Sequence, residues 1–86
     1  MKIKYSKKSL KFLAKQDKAT VTRIRNAIEK LTLDPPQGDI KDMQGSTIGQ
    51  KRLRVGGFRV IYRYLDDSGF EILYIDEIGN RGDIYK

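Results

Sequence analysis

The amino-acid sequence predicts an α+β domain, with an N-terminal strand and two helices packed on one face of a mainly antiparallel, twisted sheet of four to five strands. Three observations support this class. Residues 2–5 alternate between polar and apolar side chains, residues 10–31 carry apolar side chains at helical spacing, and residues 51–78 return to strand-like runs. With 86 residues, the chain is expected to form a single domain over 1–86.

Each predicted helix has an N-cap residue and an apolar stripe. Ser6 precedes a helix that is expected to run to about Gln16, and Asp17 precedes the second helix. In the second helix, apolar side chains recur at spacings of three, four and three residues, at Val21, Ile24, Ile28 and Leu31. Asp34-Pro35-Pro36 is expected to end this helix, because proline cannot donate a helical hydrogen bond. Residues 34–49 are predicted to form a long loop.

The C-terminal half is predicted to form an antiparallel meander. Gly56-Gly57 is suited to a tight hairpin turn, and residues 66–69 form a second turn sequence. The predicted strands are 51–55, 58–65, 70–78 and a last short strand at 83–85. This order of elements leaves one face of the sheet for both helices.

The register of the first hairpin sorts its side chains by face. A two-residue turn places Arg54 opposite Arg59, and directly opposed residues share a face. The face toward the helices is therefore predicted to carry Leu53, Val55, Phe58, Val60 and Tyr62. The other face is predicted to carry exposed arginines, namely Arg52, Arg54, Arg59 and Arg63. Tyr62 and Tyr64 are expected in the core, with base stacking as the alternative role.

The charge of the chain points to an anionic partner. Its net charge of +7 favours binding to nucleic acid or to an acidic protein. Like charges opposed across strands disfavour folding by up to about 1 kcal/mol per pair, so the arginine cluster favours an anion against that face. Two alternatives stay open. The charge serves solubility alone, or Glu71 and Glu77, which share a parity on the next strand, neutralise the arginines.

Residue types that are missing exclude several kinds of chemistry. Cysteine and histidine are both absent, which excludes disulfides, thiol catalysis, zinc fingers and a Ser-His-Asp triad. Neither a metal nor a cofactor is expected. The apolar run at residues 72–75 is too short to span a membrane, and the basic N-terminus lacks the apolar run of a signal peptide. We therefore expect a cytoplasmic protein that does not contact membranes.

Two stretches, RLRVGGFRVIYRYLDD at 52–67 and IGNRGDIYK at 78–86, resemble the RelE/ParE toxin superfamily, and the resemblance extends over nearly the whole chain. It is closest to the RelE-like mRNA interferases of bacterial type II toxin–antitoxin systems. This resemblance implies a small basic toxin that cleaves mRNA in the ribosomal A site and is silenced by an acidic, RelB-like antitoxin. ParE-like relatives share the fold but poison DNA gyrase.

The resemblance also implies three catalytic residues. Arg59 matches the arginine that contacts the scissile phosphate, and Arg81 matches the arginine assigned to charge stabilisation or leaving-group protonation. Tyr85 matches the C-terminal tyrosine that orients or activates the attacking group. Structural roles are the alternatives, since Tyr85 would also fit a packing position at the sheet edge and Arg81 would also fit an ion pair with Asp76 or Asp83.

The strand before Gly56 supplies the RNA-binding positions that the resemblance implies, which are Lys51, Arg52 and Arg54. Two positions depart from the RelE pattern. Gln50 stands where RelE has a catalytic lysine, so Lys51 or Arg52 would have to take that role. Asn80 stands where many relatives carry a histidine. These departures leave the identity of the general base open.

Cleavage of RNA is compatible with this residue set because the 2′-hydroxyl of the RNA itself is the nucleophile. Arginine forks fit phosphate oxygens, and nearby cations favour the ionised form of a tyrosine, whose ordinary pKa is about 10. The sequence therefore favours a metal-independent, ribosome-dependent endoribonuclease. A non-enzymatic toxin that inhibits gyrase and a plain RNA-binding domain are the alternatives. Arg63 is expected to be a solvated charge.

Overall fold

A computed structural model of the chain describes residues 1–80. Its elements are β1 (Lys2–Tyr5), α1 (Lys7–Ala14), α2 (Lys18–Glu29), a 3-10 helix (Lys30–Thr32), β2 (Asp39–Asp42), β3 (Lys51–Val55), β4 (Phe58–Asp67) and β5 (Phe70–Asn80). The strands form one sheet in the order β1-β5-β4-β3-β2. β1 runs parallel to β5, and the other neighbours are antiparallel. The predicted α+β class with a mainly antiparallel sheet is confirmed.

Both helices pack against the same face of the sheet, as predicted, and enclose the apolar core. The buried side chains of this core are Leu13, Ile24, Ile28, Leu31, Leu53, Val55, Val60, Tyr62, Leu73, Ile75 and Ile78. The apolar stripe of α2 lies deep in this core, since Ile24 and Ile28 are inaccessible to solvent. Burial of such aliphatic side chains contributes about 1.5–3 kcal/mol each relative to exposure.

The loop predicted at 34–49 contains a strand that the sequence did not indicate. β2 pairs with β3 at the edge of the sheet, and Ile40 lies opposite Leu53. An edge strand of four residues with one inward side chain has almost no apolar alternation, so its pairing depends on the neighbouring strand. The strand predicted at 83–85 lies outside the described residues.

The turn between β3 and β4 has the predicted register. The observed partners are Val55–Phe58, Arg54–Arg59, Leu53–Val60 and Arg52–Ile61. Gly56 has a φ of +59°, a left-handed conformation that other residues rarely adopt. A Cβ atom at this position would lie 2.9 Å from Cζ of Arg23, which extends from α2 to the turn. The backbone conformation therefore favours glycine, and any side chain here would also displace the Arg23 guanidinium.

Two serines connect the start of α1 to β5. Ser6 is the N-cap, and its hydroxyl accepts a hydrogen bond from the Ser9 amide at 3.0 Å. The same hydroxyl donates to the Asp76 carbonyl at 2.8 Å, while the buried Ser9 hydroxyl donates to the Ile75 carbonyl at 3.1 Å. These bonds fix the backbone of β5 where it is irregular.

We expect Ser6→Ala to lower the free energy of unfolding by about 1–2 kcal/mol, because one hydroxyl serves both the helix cap and the Asp76 carbonyl. Urea denaturation followed by circular dichroism measures this change. Ser68→Ala makes the same chemical change in an exposed turn and is the matched control. Equal stability of the two variants would contradict the role assigned to Ser6.

Candidate functional site

The side of the sheet opposite the helices carries four arginines, and we call it the arginine face. Its members are Arg52, Arg54 and Arg59 with Arg63 further along β4. Arg54 and Arg59 are directly opposed on β3 and β4, and Arg52 is opposite Ile61. The prediction that these cationic side chains share a face is therefore confirmed.

The arginines are less exposed than predicted. The exposed fraction is 8% for Arg52 and 5% for Arg59, while Arg54 is half-buried. The Nε atoms of all three are shielded from solvent. Because arginine stems are largely apolar, such side chains on adjacent strands can pack along one another and leave little surface to water. The prediction of an exposed cationic face is therefore wrong for Arg52 and Arg59.

An acidic residue of β2 lies beside the arginines. Asp39 is directly opposite Arg54, and its Oδ2 lies 3.9 Å from Nε of that arginine. More than half of the Asp39 side chain is exposed, and exposed ion pairs contribute at most about 1 kcal/mol. This contact therefore neutralises only the edge of the arginine face.

A β-bulge in β5 decides which acidic residues reach the arginine face. Pairing shifts between Ile61 and Tyr62, which makes Asp76 the extra residue on β5. The flanking isoleucines both face the core and Glu77 is opposite Ile61, so Asp76 and Glu77 both lie on the arginine side, where the Glu77 carboxylate pairs with Lys8 of α1 at 3.4 Å. By strand alternation, Glu71 lies on the helix side instead. The prediction that Glu71 and Glu77 share a face is therefore wrong, because the bulge reverses the alternation.

Arg63 is anchored, which contradicts its expected role as a solvated charge. Its Nε donates to both carboxylate oxygens of Asp76, at 3.2 and 3.0 Å. Its guanidinium lies 5.1 Å from the ring centroid of Tyr74. Gln50 donates from Nε2 to Oδ2 of the same aspartate at 3.1 Å. As a neutral amide, Gln50 cannot supply the charge or the titrating amine of the lysine that RelE has there.

Lys51 lies apart from the arginines with which it was grouped. It is directly opposite Tyr62, a core residue, so it belongs to the helix side of the sheet. Its ammonium forms an ion pair with the carboxylate of Asp42, its neighbour on β2. The structure therefore divides the predicted RNA-binding set between two faces.

The two other predicted catalytic residues, Arg81 and Tyr85, lie outside the described residues. Asn80 ends β5 directly opposite Phe58, at the turn end of the hairpin. Arg59 lies one position further along β4, opposite Gly79. The described structure therefore brings together the arginines of β3 and β4.

The tyrosines on the helix side are structural. Tyr62 is fully buried and meets Tyr64 edge to face, with ring centroids 5.7 Å apart. The Tyr64 hydroxyl donates to the Leu31 carbonyl at 2.8 Å. Burial raises the pKa of both phenols, and the Glu71 carboxylate raises that of Tyr64 further. The predicted core role is confirmed for Tyr62, whose burial excludes base stacking, while Tyr64 packs against the core and remains partly exposed.

Two further findings concern the part of the chain that the structure describes. Among residues 1–80, no group of three or more acidic, histidine or cysteine side chains is arranged to hold a metal ion. No helix in the same range is long and apolar enough to cross a membrane.

Solved structures of toxins share this fold. The archaeal RelE–RelB complex from Pyrococcus horikoshii OT3 gives a TM-score of 0.68 at 24% identity, covering 95% of this chain and 96% of the matched chain. The YoeB/ParE toxin from Agrobacterium tumefaciens gives 0.72 at 21% identity, covering 93% and 98%. The RelB–RelE complex from Methanococcus jannaschii gives 0.66 at 23% identity, covering 94% and 93%. No curated protein matches the chain significantly by sequence.

The chain thus shares its fold with these RelE and YoeB/ParE toxin structures. The family model described as the ParE toxin of type II toxin–antitoxin systems, parDE, matches residues 3–85. The chain therefore belongs to this family and is a toxin of a type II toxin–antitoxin system.

We expect Lys51→Gln to retain growth inhibition, because Lys51 pairs with Asp42 on the side away from the arginines. Arg52→Gln removes the same charge from the adjacent residue, on the arginine face, and is expected to reduce growth inhibition. Induced expression in a bacterial host, with protein levels matched by immunoblot, compares the two. Loss of toxicity in the Lys51 variant at unchanged stability would contradict this assignment.

Proposed function

We propose that the chain is a metal-independent endoribonuclease that cleaves mRNA in the ribosomal A site. The observation that carries the proposal is the arginine face, on which Arg54 and Arg59 are directly opposed and shielded at Nε. Packing like charges together in this way disfavours folding. A bound polyanion offsets that cost, and an RNA strand presents phosphates at a regular spacing.

In the proposed reaction, the 2′-hydroxyl of the RNA attacks the adjacent phosphorus. A bond forms between O2′ and phosphorus, the bond from phosphorus to O5′ breaks, and the products are a 2′,3′-cyclic phosphate and a 5′-hydroxyl. The protein has to align O2′ in line with the leaving oxygen, stabilise charge on the phosphate and move two protons. Because the nucleophile belongs to the substrate, the mechanism requires no metal-bound water.

The proposed roles follow the positions of the arginines. Arg59 contacts the scissile phosphate, and Arg52 and Arg54 hold the RNA backbone from β3. Guanidinium groups suit this task because their planar forks bind phosphate oxygens in a bidentate manner. Arg81 and Tyr85 complete the proposed site, where Arg81 stabilises charge or protonates O5′ and Tyr85 orients or activates O2′. These two roles rest on the sequence resemblance.

The site lacks a strong general base in this proposal, and that favours a pre-aligned substrate. Gln50 is a neutral amide bound to Asp76, and Lys51 lies on the helix side. Alignment alone can lower a barrier by several kcal/mol, provided that the reacting atoms are held close to the reactive geometry. An mRNA strand held by the ribosome meets this condition, so we expect the protein to act on ribosomes in the cytoplasm.

Inhibition of DNA gyrase without enzymatic activity is the second candidate function. The specific observation in its favour is the match to the ParE family model over residues 3–85. The sequence motif favours the nuclease instead, because a toxin that acts by binding a protein has no need for the combination of Arg59, Arg81 and Tyr85. The two candidates predict different damage in the cell.

The decisive measurement is cleavage of a defined mRNA on programmed ribosomes, with analysis of the product ends. We expect a 2′,3′-cyclic phosphate and a 5′-hydroxyl, with little cleavage of free RNA. Arg59→Lys keeps the charge but removes the fork, and should reduce the rate by about 10²- to 10³-fold. Products with 5′-phosphate ends would refute the mechanism, and gyrase-linked DNA breaks with intact mRNA would establish the second candidate.

The proposed partner is an acidic, RelB-like antitoxin that folds on binding. RelE chains occur with RelB in the solved complexes from Pyrococcus horikoshii and Methanococcus jannaschii, and this chain has the same fold and a net charge of +7. A disordered acidic segment can wrap such a surface and cover the arginine face.

We expect association with this antitoxin to slow as salt rises, because exposed charges are screened beyond about 10 Å at 0.1 M ionic strength. The complex itself should persist at that salt through its apolar contacts. Stopped-flow association rates with the co-expressed acidic partner measure the first effect, and hydrogen exchange maps the covered strands. Association that is independent of salt, or unchanged exchange in β3 and β4, would contradict the proposal.

A further inference from the structure

Arg63, Asp76, Gln50 and Tyr74 form a connected cluster on the arginine face that the proposed reaction does not use. Three strands or strand ends contribute to it, because Gln50 precedes β3, Arg63 belongs to β4, and the other two belong to β5. Sequence separation between its members reaches 26 residues, between Gln50 and Asp76. Such a convergence is a property of the tertiary structure.

The guanidinium of Arg63 is held from one side. Its Nε donates both of the hydrogen bonds to the Asp76 carboxylate, at 3.2 and 3.0 Å. An arginine has five N–H groups, and the four on the two Nη atoms form the open end of the fork. The Arg63 side chain keeps 25% of its surface accessible. Within residues 1–80, the Asp76 carboxylate therefore orients the side chain through Nε and leaves the Nη end of the fork available to another anion.

The surroundings of Arg63 fix its direction. The ring of Tyr74 lies 5.1 Å from the guanidinium carbon, which holds the plane of the group. Asp76 is the extra residue of the β-bulge, and its carbonyl accepts a hydrogen bond from Ser6 at 2.8 Å. Gln50 binds the same carboxylate at 3.1 Å. A side chain held in this way loses little conformational entropy when it binds a ligand.

The position of Arg63 relates it to the proposed reaction centre. It lies on the same strand and the same face as Arg59, four residues away. At about 3.3 Å per residue, the two Cα atoms are roughly 13 Å apart along β4. An RNA strand that runs along β4 with its scissile phosphate at Arg59 would therefore bring a different, non-scissile phosphate to Arg63.

We propose that Arg63 binds a non-scissile phosphate of the RNA strand, and that Asp76 and Tyr74 are positioning residues that orient it. This inference rests on the proposed nuclease function and extends its binding site along β4. A structural ion pair is the simpler reading of the same contacts. The two differ in one respect, because a structural pair has no preference for any particular phosphate of the substrate.

The test replaces single phosphates by neutral methylphosphonates in synthetic mRNAs bound to programmed ribosomes. For the wild-type protein, neutralising one phosphate away from the cleavage point should raise KM by about tenfold or more, with a smaller change in kcat. For Arg63→Gln, the same methylphosphonate should have almost no further effect. This double-mutant cycle assigns the phosphate to the side chain.

Asp76→Asn separates positioning from general electrostatics. It removes a negative charge beside the RNA, so non-specific attraction alone predicts a lower KM. Positioning predicts the reverse, with a higher KM and a weaker effect of the same methylphosphonate. If Arg63→Gln folds poorly, the double variant Arg63→Gln/Asp76→Asn takes its place, because it removes the pair without leaving one charge unpaired. The double variant should show the same loss of phosphate sensitivity.

Arg25→Gln is the matched control. Arg25 lies on α2 and places its guanidinium 5.6 Å from the ring centroid of Tyr5, so the change removes one charge and one cation–π contact on the other side of the sheet. This variant should keep the full phosphate sensitivity. Cleavage by the wild type with no phosphate coupled to Arg63 overturns this inference alone, whereas absence of cleavage by the wild type removes the proposed function and this inference together.

Discussion

The two-residue turn between β3 and β4 determines the register on which both the core and the arginine face depend. Strand side chains alternate with a period of two, so a slip of one residue would carry every apolar side chain of the hairpin to the opposite face and every arginine into the core. Gly56 adopts the left-handed conformation that this turn requires, and Arg23 of α2 packs where a side chain would otherwise stand. The backbone conformation of the turn therefore favours the observed register.

The β-bulge at Asp76 is the second constraint, and it adapts β5 to two different neighbours. On the N-terminal side of the bulge, β5 pairs with β1 and β4 and supplies core side chains such as Leu73. At the bulge, its carbonyl groups accept hydrogen bonds from the start of α1, which fixes the helix against the sheet. The same irregularity turns the Asp76 carboxylate toward Arg63. A single inserted residue thus serves the packing of the helix and the electrostatics of the opposite face.

The electrostatics of the arginine face differ along its length. Near the turn, Arg54 and Arg59 are directly opposed, and their own Nε atoms are shielded from solvent. The exposed Asp39 lies beside Arg54. Toward the other end of β4, Arg63 has a carboxylate, an amide and an aromatic ring around it. The two ends of the face therefore differ in structure, with two directly opposed arginines near the turn and one arginine oriented by its neighbours at the other end.

Local patterns in the sequence determined most of the fold. The caps at Ser6 and Asp17, the apolar stripe of α2 and the register around Gly56 all depend on residues close in the chain, and each is present as predicted. The superfamily was also evident from the hairpin and the C-terminal motif. Nothing local indicated β2, because an exposed edge strand with one inward side chain carries no apolar alternation and forms only against β3.

The sequence also assigned the arginines to one face, but only the tertiary structure decided their environment. Burial of Arg52 and Arg59 is a property of the tertiary structure, which no local pattern encodes. The partner of Arg63 depends on a bulge thirteen residues away in the chain, and a bulge reverses the alternation on which face assignments rest. Lys51 differs from these cases, because its strand parity in the predicted hairpin register already places it on the helix side, in spite of its nearness in sequence to the arginines.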